Sequence, residues 1–289
     1  MPKTTETINR ATGLLVIEVI NSNPNGDPDR ESDPRMRDHD QRGEISPVSF
    51  KRKLRDLIEQ KGGPVWQTIS KKYSPELDPE KFMISESREI KLKEMHALGE
   101  KEFTTRFWDG RVFGNTELEK GRKIPVKTGV VQFGLGVSIA PVLIERMTTT
   151  NPAVQEDKSR GMAPLAYRIV QHGVYCMPFF INPSVAQKSG CTKQDIDLLL
   201  KVIPYAYTHT ASYIRPQVSI RHAWYIEHKS PLGSCSDFDI IGFLTPKKNK
   251  EPEKSSVSWE DYAPHPKAEE IPQEIIGKVA SIRDLMKEI

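Results

Sequence analysis

Between residues 21 and 45 the chain places Asp27, Asp29, Glu31, Asp33, Asp38, Asp40 and Glu44, with His39 among them. Two or more carboxylates can hold Mg²⁺, and a bound metal activates water against a phosphodiester. Arg30, Arg35, Arg37 and Arg42 are interleaved with these acids. A metal site wants carboxylates aimed inward from firm elements, and arginines at this spacing compete for the same oxygens. The same residues therefore describe a loop shaped by Asx turns and internal ion pairs, with arginines available for phosphate. The interleaving favours the loop over the nuclease.

A second charged stretch is SPVSFKRKLRDLIEQ, starting at Ser46. Phe50, Leu54, Leu57 and Ile58 recur at helical spacing and make one apolar stripe. Lys51, Arg52 and Arg55 are then expected on the other face, with Lys53 at its edge. Four cations so close together are an electrostatic footprint for phosphates. The plain alternative is a solvated face balanced by Asp56 and Glu59. A third stretch, 106–129, alternates Arg106, Arg111, Arg122, Lys123 and Lys127 with Phe107, Trp108 and Phe113. Basic side chains track a nucleic-acid backbone while aromatics stack on bases; the alternative is that these aromatics are core. A fourth, the polar segment 146–165, has Arg146, Lys158 and Arg160 flanking Met147 and Met162. It reads either as a β-hairpin arm whose apolar tip wedges between bases or as an irregular loop.

His209 lies in YAYTHTASY beside Tyr205, Tyr207 and Tyr213, the raw material of a metal-free ribonuclease. A helical histidine among tyrosines is expected to be packed rather than to act as a base. The sequence contains no phosphate-binding glycine motif and no nucleophile elbow.

The elements that would position these groups follow from periodicity. Residues 14–20 are a continuous, mostly β-branched apolar run and read as a central strand. Residues 21–45 read as loop. Ser46 and Pro47 open a helix as N-cap and first residue, and Gly62, Gly63 and Pro64 close it. A helix is expected around 86–99, a long strand region over 128–145, and a strand over 166–181. Thr192 with Asp195 three residues on forms a capping-box pattern for a helix over 196–203, kinked at Pro204. Residues 218–227 and 239–244 read as late strands, 246–270 as linker, and Ile275, Val279, Ile282 and Met286 as a closing amphipathic helix. Without insertions the order is β-α-β-β-α-β, the ferredoxin-like plan shared with RRM domains: α+β, with helices on one sheet face and the other face open to a partner.

Composition bounds the reading. The 289 residues suit one large or two ordinary domains. A net charge of +3 and a pI near 8.6 are only weakly basic, so any nucleic-acid surface must be local. Hydrophobic content of 37% and mean hydropathy of −0.53 call for loops or interaction arms. Cys176, Cys191 and Cys235 show no metal spacing and are odd in number, which fits a reducing, cytoplasmic setting. No signal peptide and no membrane span is expected. No cofactor or metal is expected either.

LLVIEVINSNPNGDPD, RGEISPVSFKRKLRD, RVFG and KTGVVQFGLGVSIAP, in that order, resemble the Cas-seven family. More narrowly they resemble its subtype I-C member, the repeated backbone subunit of CRISPR Cascade. The resemblance covers roughly residues 10–245. It implies an RRM-like core with a palm-like insertion over 66–125 and a thumb-like arm over 146–165, followed by a tail, 246–289, outside the match. It implies a non-catalytic subunit that stacks head to tail with other copies along crRNA, beside Cas-five and Cas-eight type subunits. The thumb would kink one guide base and leave the others to pair with target DNA. The expected RNA-binding residues are Lys51, Arg52, Arg55, Arg35, Arg37, Arg111, Phe113, Lys127, Arg146, Arg160 and Met162. Related type III backbone subunits cut RNA with an Asp after the first strand, so Asp27, Asp29 and Asp33 keep the ribonuclease alternative open.

Overall fold

The computed structural model describes residues 7–87, 98–115, 128–150, 164–263, 266 and 270–289. The helix expected around 86–99 lies largely outside them, as do Arg122, Lys123, Lys127, Lys158, Arg160 and Met162.

Strand β1 (Ala11–Ser22) runs through the centre of the molecule. It is followed by two short strands, β2 (Gly26–Asp27) and β3 (Asp33–Pro34), and by β4 (Arg42–Ile45). Helices α1 (Pro47–Glu59) and α2 (Pro64–Ser70) come next, then α3 (Glu100–Arg106) and α4 (Trp108–Phe113). Strands β5 (Val131–Phe133), β6 (Gly136–Pro141), β7 (Ile144–Thr150) and β8 (Pro164–Ile181) precede α5 (Ala186–Ser189) and α6 (Lys193–Val202). The chain continues through β9 (Val218–His228), α7 (Asp237–Leu244), α8 (Gln273–Ile276) and β10 (Val279–Asp284).

This is a mixed α+β structure on an antiparallel sheet, ordered β10-β9-β1-β8-β6-β4. β8 is long enough to pair in turn with β5, β6 and β7 along one edge while β1 occupies the other. Two local signals hold as read. Ser46 Oγ accepts the Ser49 amide, with Pro47 opening the helix behind it. Thr192 and Asp195 form a reciprocal capping box.

Both faces of the sheet are covered. Leu15, Ile17 and Val19 of β1 point into one core with Phe50, Leu54, Trp108 and Leu199. Leu14 and Val16 point into another, with Trp224, Ile226, Ile240, Leu244, Tyr262 and Ile271. The expected open face is thus closed by the chain's own C-terminal third. A strand apolar on both faces needs a layer on each side. Residues 246–270, expected as linker, supply part of that layer: Tyr262 is buried, and a bridge joins it to Lys248. A polar network ties this cover down. His172 on β8 hydrogen-bonds Glu18 on β1 at 3.2 Å and Ser256 at 2.7 Å, and the Tyr262 hydroxyl donates to Ser256.

Four other expectations change. Residues 239–244 are helix, not strand, because Ser236 caps the amide of Asp239 and starts α7. Short apolar runs carry no period that separates the two. The closing helix is only Gln273–Ile276; Val279 to Asp284 instead extend the sheet beside β9. The loop 21–45 ends in a strand, β4, which pairs with β6. The region 128–145 is split into β5, β6 and the start of β7. Its glycines do admit close approach: a Cβ on Gly129 would lie 2.3 Å from the carbonyl carbon of Phe113.

Candidate nucleic-acid interface

The acidic loop is folded by its own arginines. Arg30 donates to both oxygens of Asp38 at 2.8 and 2.9 Å. Arg37 donates to Glu44 at 2.6 Å and lies 3.9 Å from Asp40. Asp40 also accepts the Arg42 amide, and Asp27 accepts the Asp29 amide as an Asx turn while facing Arg35 at 3.7 Å. Asp33 pairs with Arg168 of β8. Among the described residues no three His, Cys, Asp or Glu side chains converge as a metal site would require.

Amides then fasten the loop to the surrounding elements. Asn25 Oδ1 accepts the Ser46 amide at 2.7 Å, holding the loop against the start of α1. The Asn23 amide donates to Ile214 O at 2.8 Å, and Arg215 Nε donates back to Asn23 O at 2.9 Å. The opening loop, the start of α1, the root of the β7–β8 hairpin and the 207–215 turn are thereby joined into one surface.

The four cations of α1 do not share one face. Arg55 was expected outside, but it is 3% exposed. Its Nε donates to the fully buried Asp109 at 2.9 Å, and a terminal nitrogen reaches Glu86 at 2.9 Å. Asp109 also accepts the Ser85 amide and hydroxyl, so its charge is well satisfied. Arg52 is turned along the helix to Asp56 at 2.7 Å and Glu59 at 3.7 Å. Lys51 is half-buried, with Nζ 5.2 Å from the centroid of Phe113; burial and the nearby Arg55 charge lower its affinity for a proton. Lys53 is buried rather than at the edge. It donates to Thr210 at 3.0 Å and lies 5.0 Å from the Tyr207 centroid. Burial, then the Arg215 charge, push its pKa down to about 8.

The described part of the basic-aromatic stretch is mostly core. Arg111 is buried in a bidentate pair with Asp195, at 2.7 and 3.1 Å, and donates its remaining hydrogens to the carbonyls of Lys81, Thr104 and Thr105. Phe107, Trp108 and Phe113 are all buried, and Phe113 packs edge-on against Trp108 at 5.3 Å. Arg106 stays on its own helix with Glu102.

Arg146 is exposed on β7, directly opposite Arg168 on β8, and Met147 stands opposite Tyr167. The two strands form the legs of a hairpin from Thr150↔Pro164 inward. His209 is exposed, not packed, and touches Tyr205 edge-on at 5.7 Å. Tyr167, Arg168, Tyr213 and Arg215 were not singled out for nucleic-acid binding. Tyr213 and Arg215 stand in the irregular run SYIRPQ, whose composition carries no period.

Residues 9–265 match the family described as CRISPR-associated protein Cas7. The chain belongs to the Cas7 family. No curated protein matches it. Among solved structures it is similar to a chain of a "CRISPR RNA-guided surveillance complex, pre-nicking", at 12% identity and a TM-score of 0.48, covering 75% of this chain and 76% of that one. A "CRISPR RNA-guided surveillance complex" chain aligns at 13% identity and a TM-score of 0.37, covering 74% and 69%. A chain of a "Type III-B Cmr-beta bound to cognate target RNA" aligns at 12% and 0.40, covering 76% and 61%.

Proposed function

We propose that the chain is a crRNA-binding backbone subunit of a CRISPR RNA-guided surveillance complex of subtype I-C. Copies stack head to tail along the guide and present its bases to target DNA, beside Cas-five and Cas-eight type subunits. The match of residues 9–265 to the Cas7 family carries the backbone-subunit part of this reading, and the subtype rests on the motif resemblance alone. The strand order supports it: β9, β1, β8 and β6 lie as fourth, first, third and second strands of a β-α-β-β-α-β core, all antiparallel, as in an RRM-like fold. In this reading the segment 66–125 is the palm-like insertion and 146–165 the thumb, rising from the β7–β8 legs.

A subunit that accepts any spacer must hold phosphate and ribose rather than base edges. Lys51, Arg52, Arg35, Arg37 and Arg146 are assigned to that contact, with Lys127, Arg160 and Met162 on the insertions. Arg55, Arg111 and Phe113 are assigned to the interior, because they are buried there. Head-to-tail repetition is a heterologous interface, which propagates as a helix.

The test is to add labelled single-stranded RNA of unrelated sequence to the purified chain, with Mg²⁺ and with EDTA. Salt-sensitive, length-dependent assembly on intact RNA in both conditions is expected. Mg²⁺-dependent loss of the RNA, abolished by Asp29→Ala or Asp33→Ala, would make the opening loop a ribonuclease instead.

A further inference from the structure

We propose that Tyr213 and Tyr167 form a stacking platform for one unpaired nucleobase, and that Lys53 and Arg215 hold a phosphate of the same strand. This rests on the reading of the chain as a single-stranded RNA binder and names where a nucleotide is seated.

Tyr213 is 64% exposed, although a tyrosine ring is normally largely withdrawn from water. Its ring meets Tyr167 edge-on, with centroids 5.5 Å apart and planes at 65°. Each ring therefore fixes the other. The backbones beneath them are fixed as well. Tyr213 sits in a turn closed by the Arg215 amide donating to Ser212 O at 2.8 Å. That turn is clipped to the first loop by Asn23 and Ile214, while Tyr167 stands within the β8 ladder opposite Met147. Met147 is itself 38% exposed and extends the apolar surface toward the hairpin. A rigid, exposed, partly apolar ring pair is suited to a flat π-face and indifferent to which base supplies it.

The cations beside it differ from the paired arginines of the interior. Arg55 and Arg111 each have a buried carboxylate. Among the described residues Lys53 and Arg215 have no ion-pair partner; their hydrogen bonds go to Thr210 Oγ1 and Asn23 O, which are neutral. Both are tied to the 207–215 segment or its anchor on the first loop, Lys53 through Thr210 and Arg215 through Asn23. An arriving phosphate supplies the carboxylate-like partner that neither has among the described residues. Tyr213 and Arg215 belong to one segment, 207–215, and Lys53 packs on that segment through Thr210 and Tyr207, so base and phosphate contacts are delivered together.

The experiment uses the full chain and two labelled RNAs of equal length, one ordinary and one made abasic throughout, which keeps every phosphate. A base-stacking contact is expected to make Tyr213→Ala bind ordinary RNA roughly 5- to 150-fold more weakly per occupied site. Tyr213→Phe retains the ring and is expected to bind as the parent does. Tyr213→Ala and the parent should bind abasic RNA alike. Lys53→Ala with Arg215→Ala should weaken both RNAs and lower the salt slope. A Tyr213→Ala chain that binds ordinary RNA as tightly as the parent overturns the platform while leaving the RNA-binding function intact. A parent chain that binds neither RNA overturns both. Tyr213 is exposed, so its removal leaves the fold in place, and matching thermal unfolding curves verify that.

Discussion

Lys53 and Arg55 stand two residues apart on one helix and meet opposite surroundings. Arg55 turns toward α4, where Asp109 has no exposure to water and Glu86 flanks it. Lys53 turns toward the 207–215 turn and finds a threonine hydroxyl, a tyrosine face and another cation. The first region neutralises its charge inside the fold. The second holds its charge on neutral groups, with no carboxylate in ion-pair reach among the described residues. Cation density along a sequence therefore says little about binding until each cation's carboxylate has been found. Arg111, closed on Asp195, repeats the lesson on a second helix.

The largest expected effect breaks the interior side of this contrast. Asp109→Ala strands Arg55 in the core and should destabilise the chain by about 3–5 kcal/mol, measured by urea unfolding. Unchanged stability would mean that Arg55 escapes to solvent and belongs with the exposed cations after all.

A second interior network sharpens the contrast through pH. Glu18 lies between His172 on β8 and Arg221 on β9, with Ser256, Trp259 and Glu260 of the cover nearby. Burial by itself would raise the Glu18 pKa; the His172 hydrogen bond and the Arg221 charge reverse this and hold it below the ordinary 4.5. A carboxyl depressed in the folded state contributes stability above its unfolded pKa and loses it as pH falls through the folded value. Thermal unfolding should therefore weaken below about pH 4.5, and Glu18→Gln should flatten that limb. An identical acid profile in the variant would remove Glu18 from the network that fastens the cover.

On the surface side, Lys51→Ala with Arg52→Ala should leave unfolding nearly unchanged and weaken RNA binding. The salt slope should fall by about 0.7 for each phosphate that is no longer neutralised. Weakened stability with an unaltered slope would place these two with Arg55.

The smallest effect is expected in the acidic loop. Arg30 and Asp38 are well aligned but exposed, so Arg30→Ala should cost no more than about 1 kcal/mol. A larger destabilisation would show that the loop's ion pairs act as one network.

Several elements are legible in the sequence because their signals are local. Ser46-Pro47 with the Phe50, Leu54, Leu57 and Ile58 stripe specifies α1, and Thr192 with Asp195 specifies the start of α6. The interleaved charges of 21–45 indicate a loop folded by its own ion pairs, which is how Arg30, Arg37 and Arg42 are used. Sequence and structure part company where partners are distant. Val279 and Ile282 fit a helical stripe, yet the free edge of β9 takes that segment as a strand. The run 246–270 is polar, yet Tyr262 and its neighbour in the same layer, Ile271, anchor it on the sheet. The closure of both sheet faces was written in β1 itself: Leu14 to Ile17 have no polar alternate, and such a strand has no wet side.

The sequence by itself determined the central strand, the starts of α1 and α6, and the family, since each rests on residues near one another along the chain. Tertiary structure alone decided which cations meet a carboxylate inside the fold and which are held by neutral groups. It paired Arg55 with Asp109 and Arg111 with Asp195, and it set Lys53 on Thr210 and Arg215 on Asn23 O. Those pairings span many residues and depend on where helices dock, and burying a charge demands that its partner be brought to it from wherever in the chain it lies.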